Sequence, residues 1–125
     1  MLRNELRIQV ITLLLAISTA GCNRTPEVPL RLQGTVTAIG SARPVPNADV
    51  VVEWPAELGG GTSNLKTDAE GHYVAGRSIR TKALDCKGLV ITVRKEGYAS
   101  AYNQSSEDCS EGHLTTDFKL FPIPG

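Results

Sequence analysis

The chain has 125 residues, of which 41% are hydrophobic and only 5% aromatic. That is enough for one domain with a modest core built from Val, Leu, Ile and Ala. Lysine and arginine number 13 against 13 aspartates and glutamates, so the net charge is zero. Setting aside Arg3, Arg7 and Glu5 near the start leaves 11 basic and 12 acidic residues, a balance of −1. No basic face points to nucleic acid.

The first element in chain order is an apolar run from Ile8 to Ala20, preceded by Arg3 and Arg7 and interrupted by Gln9, Thr12, Ser18 and Thr19. A basic start, a short apolar stretch and small residues form the plan of a signal peptide. The run would be about 20 Å long as a helix, short of the roughly 20 residues that cross a bilayer. Thr19-Ala20-Gly21-Cys22 follows. It resembles the lipobox of bacterial lipoproteins, in which a signal peptidase cuts before a cysteine whose thiol receives diacylglycerol. Thr19 departs from that pattern, where Leu is usual, and Ser18-Thr19-Ala20 would also suit an ordinary signal peptidase. Cysteine arithmetic separates the two: of three cysteines, two lie far downstream and can pair, leaving Cys22 over. Lipidation accounts for the odd thiol, and several acyl chains on one residue, such as palmitate, make a permanent anchor. The resemblance implies residues 1–21 as signal peptide, Cys22 as lipidated terminus, the membrane as partner through that lipid, and location in the cell envelope. Asn23 is not the Asp that retains enteric lipoproteins at the inner membrane. The outer membrane is therefore favoured in a Gram-negative host, and the exterior face of the cell membrane otherwise.

Residues 22–29 read as a spacer, since Pro26 and Pro29 oppose both helix and interior strand. From Leu30 the pattern has period two, with Leu30, Leu32, Gly34 and Val36 on one face. Gly40 to Asn47 is turn-rich, and a second strand runs from Ala48 to Trp54. Gly59-Gly60-Gly61 marks an exposed loop. Thr67-Asp68-Ala69-Glu70-Gly71-His72-Tyr73 reads as a hairpin turn between strands near Asn64–Thr67 and His72–Ala75. Leu89 to Arg94 turns at Lys95-Glu96-Gly97 into Tyr98 to Asn103, and Leu114 to Leu120 alternates once more. No sustained 3.6-residue period follows residue 21. Seven short strands must then bury their faces against one another, and a two-sheet sandwich is the economical solution.

Gly34-x-Val36, Pro44-Val45-x-Asn47-Ala48-x-Val50-x-Val52, Thr67-Asp68-x-x-Gly71-x-Tyr73 and Gly97-Tyr98 together resemble the carboxypeptidase regulatory-like domain. The resemblance implies an all-β, seven-stranded Greek-key sandwich of the transthyretin-like (prealbumin-like) class over residues 30–121, with 122–125 as a tail. It does not fix a function, because such domains accompany peptidases, receptors, adhesins and unassigned lipoproteins. The motif residues have structural uses: Val50 and Val52 as core, Gly71 as turn, Tyr73 and Tyr98 as packed rings with wet hydroxyls. Cys86 and Cys109 are centred in sequence on Gly97-Tyr98, so they would meet across the open end of that hairpin and form a disulfide in an oxidising compartment. Neither stands in a C-x-x-C pair, which argues against metal.

Residue types argue against catalysis, and the expectation is that the chain is not an enzyme and needs no cofactor. His72 and His113 lack a second ligand at zinc-site spacing. Asp68 and Glu70 lack the remaining ligands of a calcium loop. Gly59-Gly60-Gly61 is followed by no phosphate-binding Lys, and Ser105 and Ser106 lack the setting of a nucleophile elbow. No Lys precedes Lys66, as an internal isopeptide bond of related sandwiches would need, and the terminal Tyr-Arg-Gly-Ser signature of the transthyretin-related hydrolase is absent. Two functions follow as expectations. One is a binding module presenting Gly59–Ser63 and Ser105–Gly112 to an envelope protein or glycan. The other is an accessory lipoprotein that stabilises an envelope assembly through a strand edge.

Overall fold

A computed structural model describes residues 25–106 and 108–124. Cys22 and the segment expected to be a signal peptide lie outside the described residues. The strands are β1 (Glu27–Ala38), β2 (Asp49–Glu53), β3 (Thr62–Lys66), β4 (His72–Arg80), β5 (Val90–Arg94), β6 (Ala101–Gln104), β7 (His113–Thr115) and β8 (Phe118–Leu120), with a 3-10 turn at Ala56–Leu58. They form two sheets. The first has the order β4-β1-β7, with β8 also on β1, and the second has the order β3-β2-β5-β6. The chain is an all-β sandwich, as its alternating sequence requires.

β1 is the long central strand of the first sheet. It pairs antiparallel with β4 from Glu27↔Arg80 to Thr35↔His72, and parallel with β7 and then with β8 on its other side. Its inward residues Leu30, Leu32, Val36 and Ala38 meet Val50, Val52, Ile91 and Val93 of the second sheet in one core. The expected strand start at Leu30 is corrected to Glu27, so the strand takes in Pro29. Proline tolerates this for a geometric reason. The Val36 N–H donates to the Gly71 carbonyl and the Thr81 N–H to the Pro26 carbonyl, which fixes the hydrogen-bonded pairs at odd positions of β4. The nitrogen of Pro29 therefore points away from β4, and on that side the ladder begins only at the Arg31 N–H, which meets Gly112. Among the described residues no strand stands opposite the missing donor at Pro29.

Among the described residues eight strands replace the expected seven, because the single strand expected from Leu114 to Leu120 is two. Its alternation survives the break, with Leu114, Thr116, Phe118 and Leu120 all buried. At Thr116-Asp117 the ladder is interrupted: the Asp117 carboxylate takes the Thr35 N–H at 2.8 Å. The tail is also tied down, with Pro122 bridged to Tyr98 and the Ile123 N–H donating to Gly97.

Cys86 and Cys109 form a disulfide with Cα atoms 5.6 Å apart, across the open end of the β5–β6 hairpin. The hairpin ladder continues past its strands through Ser105 N–H to Leu89 and Gly88 N–H to Ser105, and the bridge closes just beyond. It links the second sheet to the segment entering β7. No helix among the described residues is long and apolar enough to cross a membrane.

Candidate functional site

The motif residues that carried the family resemblance are structural. Thr67 is buried, donates its hydroxyl to the Val45 carbonyl at 2.7 Å and accepts the Ala48 N–H at 2.8 Å, joining the β1–β2 and β3–β4 connections. Asp68 accepts the N–H groups of Glu70 and His72 at 3.0 and 2.9 Å. The His72 bond and then that of Glu70 hold its carboxyl below the ordinary carboxylate range. Gly71 has φ of +78°, and a Cβ there would lie 2.5 Å from the Val36 carbonyl. Gly97 closes the β5–β6 turn with φ of +87°, and Tyr98 is half-buried against the core.

Tyr73 corrects the expectation of a wet hydroxyl. Its side chain is buried, and its hydroxyl donates to the Thr116 carbonyl at 2.5 Å. Burial pushes the phenol well above its ordinary pKa, and Asp117 adds to the effect. Gly34 stands opposite Tyr73, and a Cβ at that position would lie 1.8 Å from the Thr116 carbonyl oxygen and 2.6 Å from the Tyr73 hydroxyl. The Gly34-x-Val36 motif thus makes room for the tyrosine ring.

The two segments expected to be presented to a partner lie at one end of the sandwich. Glu53, Thr62, Val90 and Gln104 form a single row of the second sheet, so the connections leaving them, including Gly59–Gly61 and Ser105–Gly112, emerge together. In the first sheet the same end carries Glu27 and Arg80. Sequence reasoning missed the residue that organises this end, Arg77. Its guanidinium carbon stands 4.1 Å from the Trp54 ring centroid, and its Nη1 donates to the carbonyls of Leu58 at 3.0 Å and Gly60 at 2.9 Å. Trp54 in turn donates its indole N–H to the Ser63 hydroxyl at 2.9 Å. The triple-glycine loop is pinned from below.

A cavity of about 530 Å³ lies between this 3-10 turn and the end of β4, lined by Ala56–Gly59 and Arg77–Arg80. Its volume is in the range of small-ligand sites. A second hollow of about 280 Å³ lies on the outer face of the first sheet, among Arg31, Gln33, Thr35, His72, Val74, Thr115 and Asp117. Gln33 and Asp117 are engaged there with Thr115 and the Thr35 N–H, so less of that hollow's polar surface is open to a ligand. Among the described residues no three His, Cys, Asp or Glu side chains converge where they could hold a metal ion. His113 faces Glu111 at 3.8 Å, and both are exposed.

No protein-family model matches the chain, and no curated protein matches it in sequence. Solved structures match it in fold. Chlorocatechol 1,2-dioxygenase from Pseudomonas putida superposes with a TM-score of 0.56 at 17% identity, covering 76% of this chain and 61% of that one. 3-Chlorocatechol 1,2-dioxygenase from Rhodococcus opacus 1CP gives 0.59 at 11% identity over 82% of this chain and 62% of that one. The dioxygenase domain of a dioxygenase and carbohydrate-binding fusion from the cellulolytic Streptomyces sp. SirexAA-E gives 0.57 at 14%, covering 81% and 84%. The chain spans about three fifths of the length of the first two. These likenesses correct the expectation that the chain is not an enzyme, because the sandwich is one that solved dioxygenases share. Missing sequence signatures are no ground for calling it non-catalytic. At such identities the likeness shows the β-sandwich fold alone and assigns no activity to this chain.

Proposed function

We propose that the chain is a membrane-anchored cell-envelope lipoprotein whose domain, of carboxypeptidase regulatory-like type, is a binding module for a protein or glycan. The observation that carries the reading is the Cys86–Cys109 disulfide: it uses two of the three cysteines and leaves Cys22, behind its small-residue run, for the lipid. Glu27, the first residue of β1, is five positions beyond Cys22, a span of about 18 Å at full extension. The anchor would hold the domain against the membrane by the end that bears Arg77. The pinned turn and the cavity beside it are what support binding.

A second reading, strand addition to an envelope assembly, is favoured by the free edge of β4. This edge strand has nine residues. From Tyr73 to Ser78 its only charge is Arg77, which is held by the Leu58 and Gly60 carbonyls. β3 and β6 have five and four residues, and the β7–β8 edge is broken at Thr116-Asp117. Long, uncharged edges are the ones that accept another strand.

Metabolic labelling with a palmitate analogue tests the anchor. Wild-type protein should take up label, and Cys22→Ser should lose it and accumulate as precursor. Label persisting on Cys22→Ser would defeat the reading. Crosslinking in intact envelopes then separates the two uses, since a protein joined through β4 supports strand addition.

A further inference from the structure

We propose that the cavity between the Ala56–Gly59 turn and the free edge of β4 takes an acidic saccharide, with the carboxylate or phosphate of the sugar on Arg77. The inference rests on the binding-module reading and names its ligand class. Arg77 is a half-buried cation with no carboxylate within salt-bridge distance among the described residues. Nη1 serves the Leu58 and Gly60 carbonyls, and the donors on Nε and Nη2 have no protein partner among those residues. A guanidinium whose position is fixed by two backbone acceptors and an indole face is ready-made for the fork of a carboxylate or phosphate. Ordering such a side chain ordinarily costs binding energy, and here the fold has already ordered it.

The cavity wall specifies a sugar rather than a bare ion. Since the odd positions of β4 bond to β1, the N–H and C=O groups of Ser78 and Arg80 project from the free edge, where the cavity lies. Such a row both donates and accepts, which suits the hydroxyls of a pyranose. Arg80 is tied to Glu27 at 3.1 Å, so its charge is largely answered within the protein. Glu57, from the turn, is the opposing charge on the wall. It lowers affinity for an anion and offers a control that leaves the Arg77 bonds in place.

The test is titration of the mature chain, followed by NMR amide shifts, with glucuronate, glucose 1-phosphate and neutral glucose. At least one acidic sugar should bind about tenfold more tightly than glucose, with the largest shifts at 56–60 and 77–80. Which acid binds distinguishes a uronate-bearing from a phosphate-bearing source. Glu57→Gln should tighten that binding about threefold, the effect of deleting one exposed like charge. Arg77→Lys, which retains charge but loses the planar fork, should weaken it about tenfold. If Arg77→Lys disturbs the turn, the Glu57→Gln result decides. Folded protein that binds neither acid better than glucose, or an affinity that Glu57→Gln leaves unchanged, overturns the site. That failure leaves the anchor and protein binding standing, whereas an acidic-sugar site on a chain with no lipid at Cys22 would remove the anchor and keep the site.

Discussion

Reducing the Cys86–Cys109 bond should cost this domain a large part of its stability. The cysteines are 23 positions apart. In the chain-entropy model a loop of that size restricts the unfolded chain by about 3 kcal/mol. For a domain of roughly 100 residues this corresponds to a fall in Tm of roughly 10–25 °C. Both residues are buried, at 0% and 2% exposure, so the reduced protein keeps two thiols in an apolar setting with little change in packing. Reduction of the wild type therefore isolates the chain effect. Replacing both cysteines with serine would add two buried hydroxyls, each costing about 1–3 kcal/mol where no partner is found. The assay is urea unfolding of oxidised wild type, reduced wild type and the double serine variant. Stability should fall in that order, and the reduced forms should have a steeper denaturant dependence because their unfolded chain is more expanded. A loss of less than about 1 kcal/mol on reduction would refute the reasoning. It would mean that hydrogen bonding from Gly88 and Ser105 already holds the hairpin end closed in the unfolded ensemble.

Gly34→Ala should be among the most destabilising substitutions, at about 4 kcal/mol or more, because the new Cβ meets the Thr116 backbone oxygen at 1.8 Å and one sheet neighbour must move. A wild-type urea midpoint for this variant would show that the β1–β8 approach is not fixed. Tyr73→Phe removes the donor to the buried Thr116 carbonyl and should cost about 1–3 kcal/mol. The same variant has a pH signature. Burial raises the Tyr73 pKa above the ordinary phenol value of 10.0, so its contribution is complete below pH 10.0 and declines as pH rises from there towards the higher folded value. Wild type should thus lose stability relative to Tyr73→Phe above pH 10.0, and parallel pH profiles would contradict the buried hydroxyl.

The fold was legible wherever one face of a strand is buried. Alternation at Leu30–Val36, Val50–Trp54 and Leu89–Val93 maps onto inward residues, and the Thr67–Tyr73 turn carries its own chemistry in Asp68 and Gly71. The errors came from bonds between distant segments. Pro29 argues against a strand locally, and only the place where β7 begins shows that its missing donor costs nothing. The break in the last strand arises because Asp117 reaches the Thr35 N–H, a partner 82 residues away. Period two runs unchanged through that break and so conceals it.

The candidate site was legible only in outline. Gly59–Gly61 and Ser105–Gly112 could be seen to be loops, but their shared end depends on the register of four strands. Arg77 was invisible, since it occupies an inward position of β4 in alternation with Ala75 and Ile79, where a charge contradicts a simple buried face. That contradiction is itself the usable signal. A cation on the inward face of an otherwise regular strand must find acceptors and a surface to lie against, and here Leu58, Gly60 and Trp54 supply both. Trp54, the one tryptophan in the chain, directly follows β2, ahead of the 3-10 turn that leads into the glycine loop. An inward arginine and a lone tryptophan beside three glycines are three local anomalies, and they converge at one end of the sandwich because each provides what the others need. Places where local rules fail together are where a fold carries something besides its own stability.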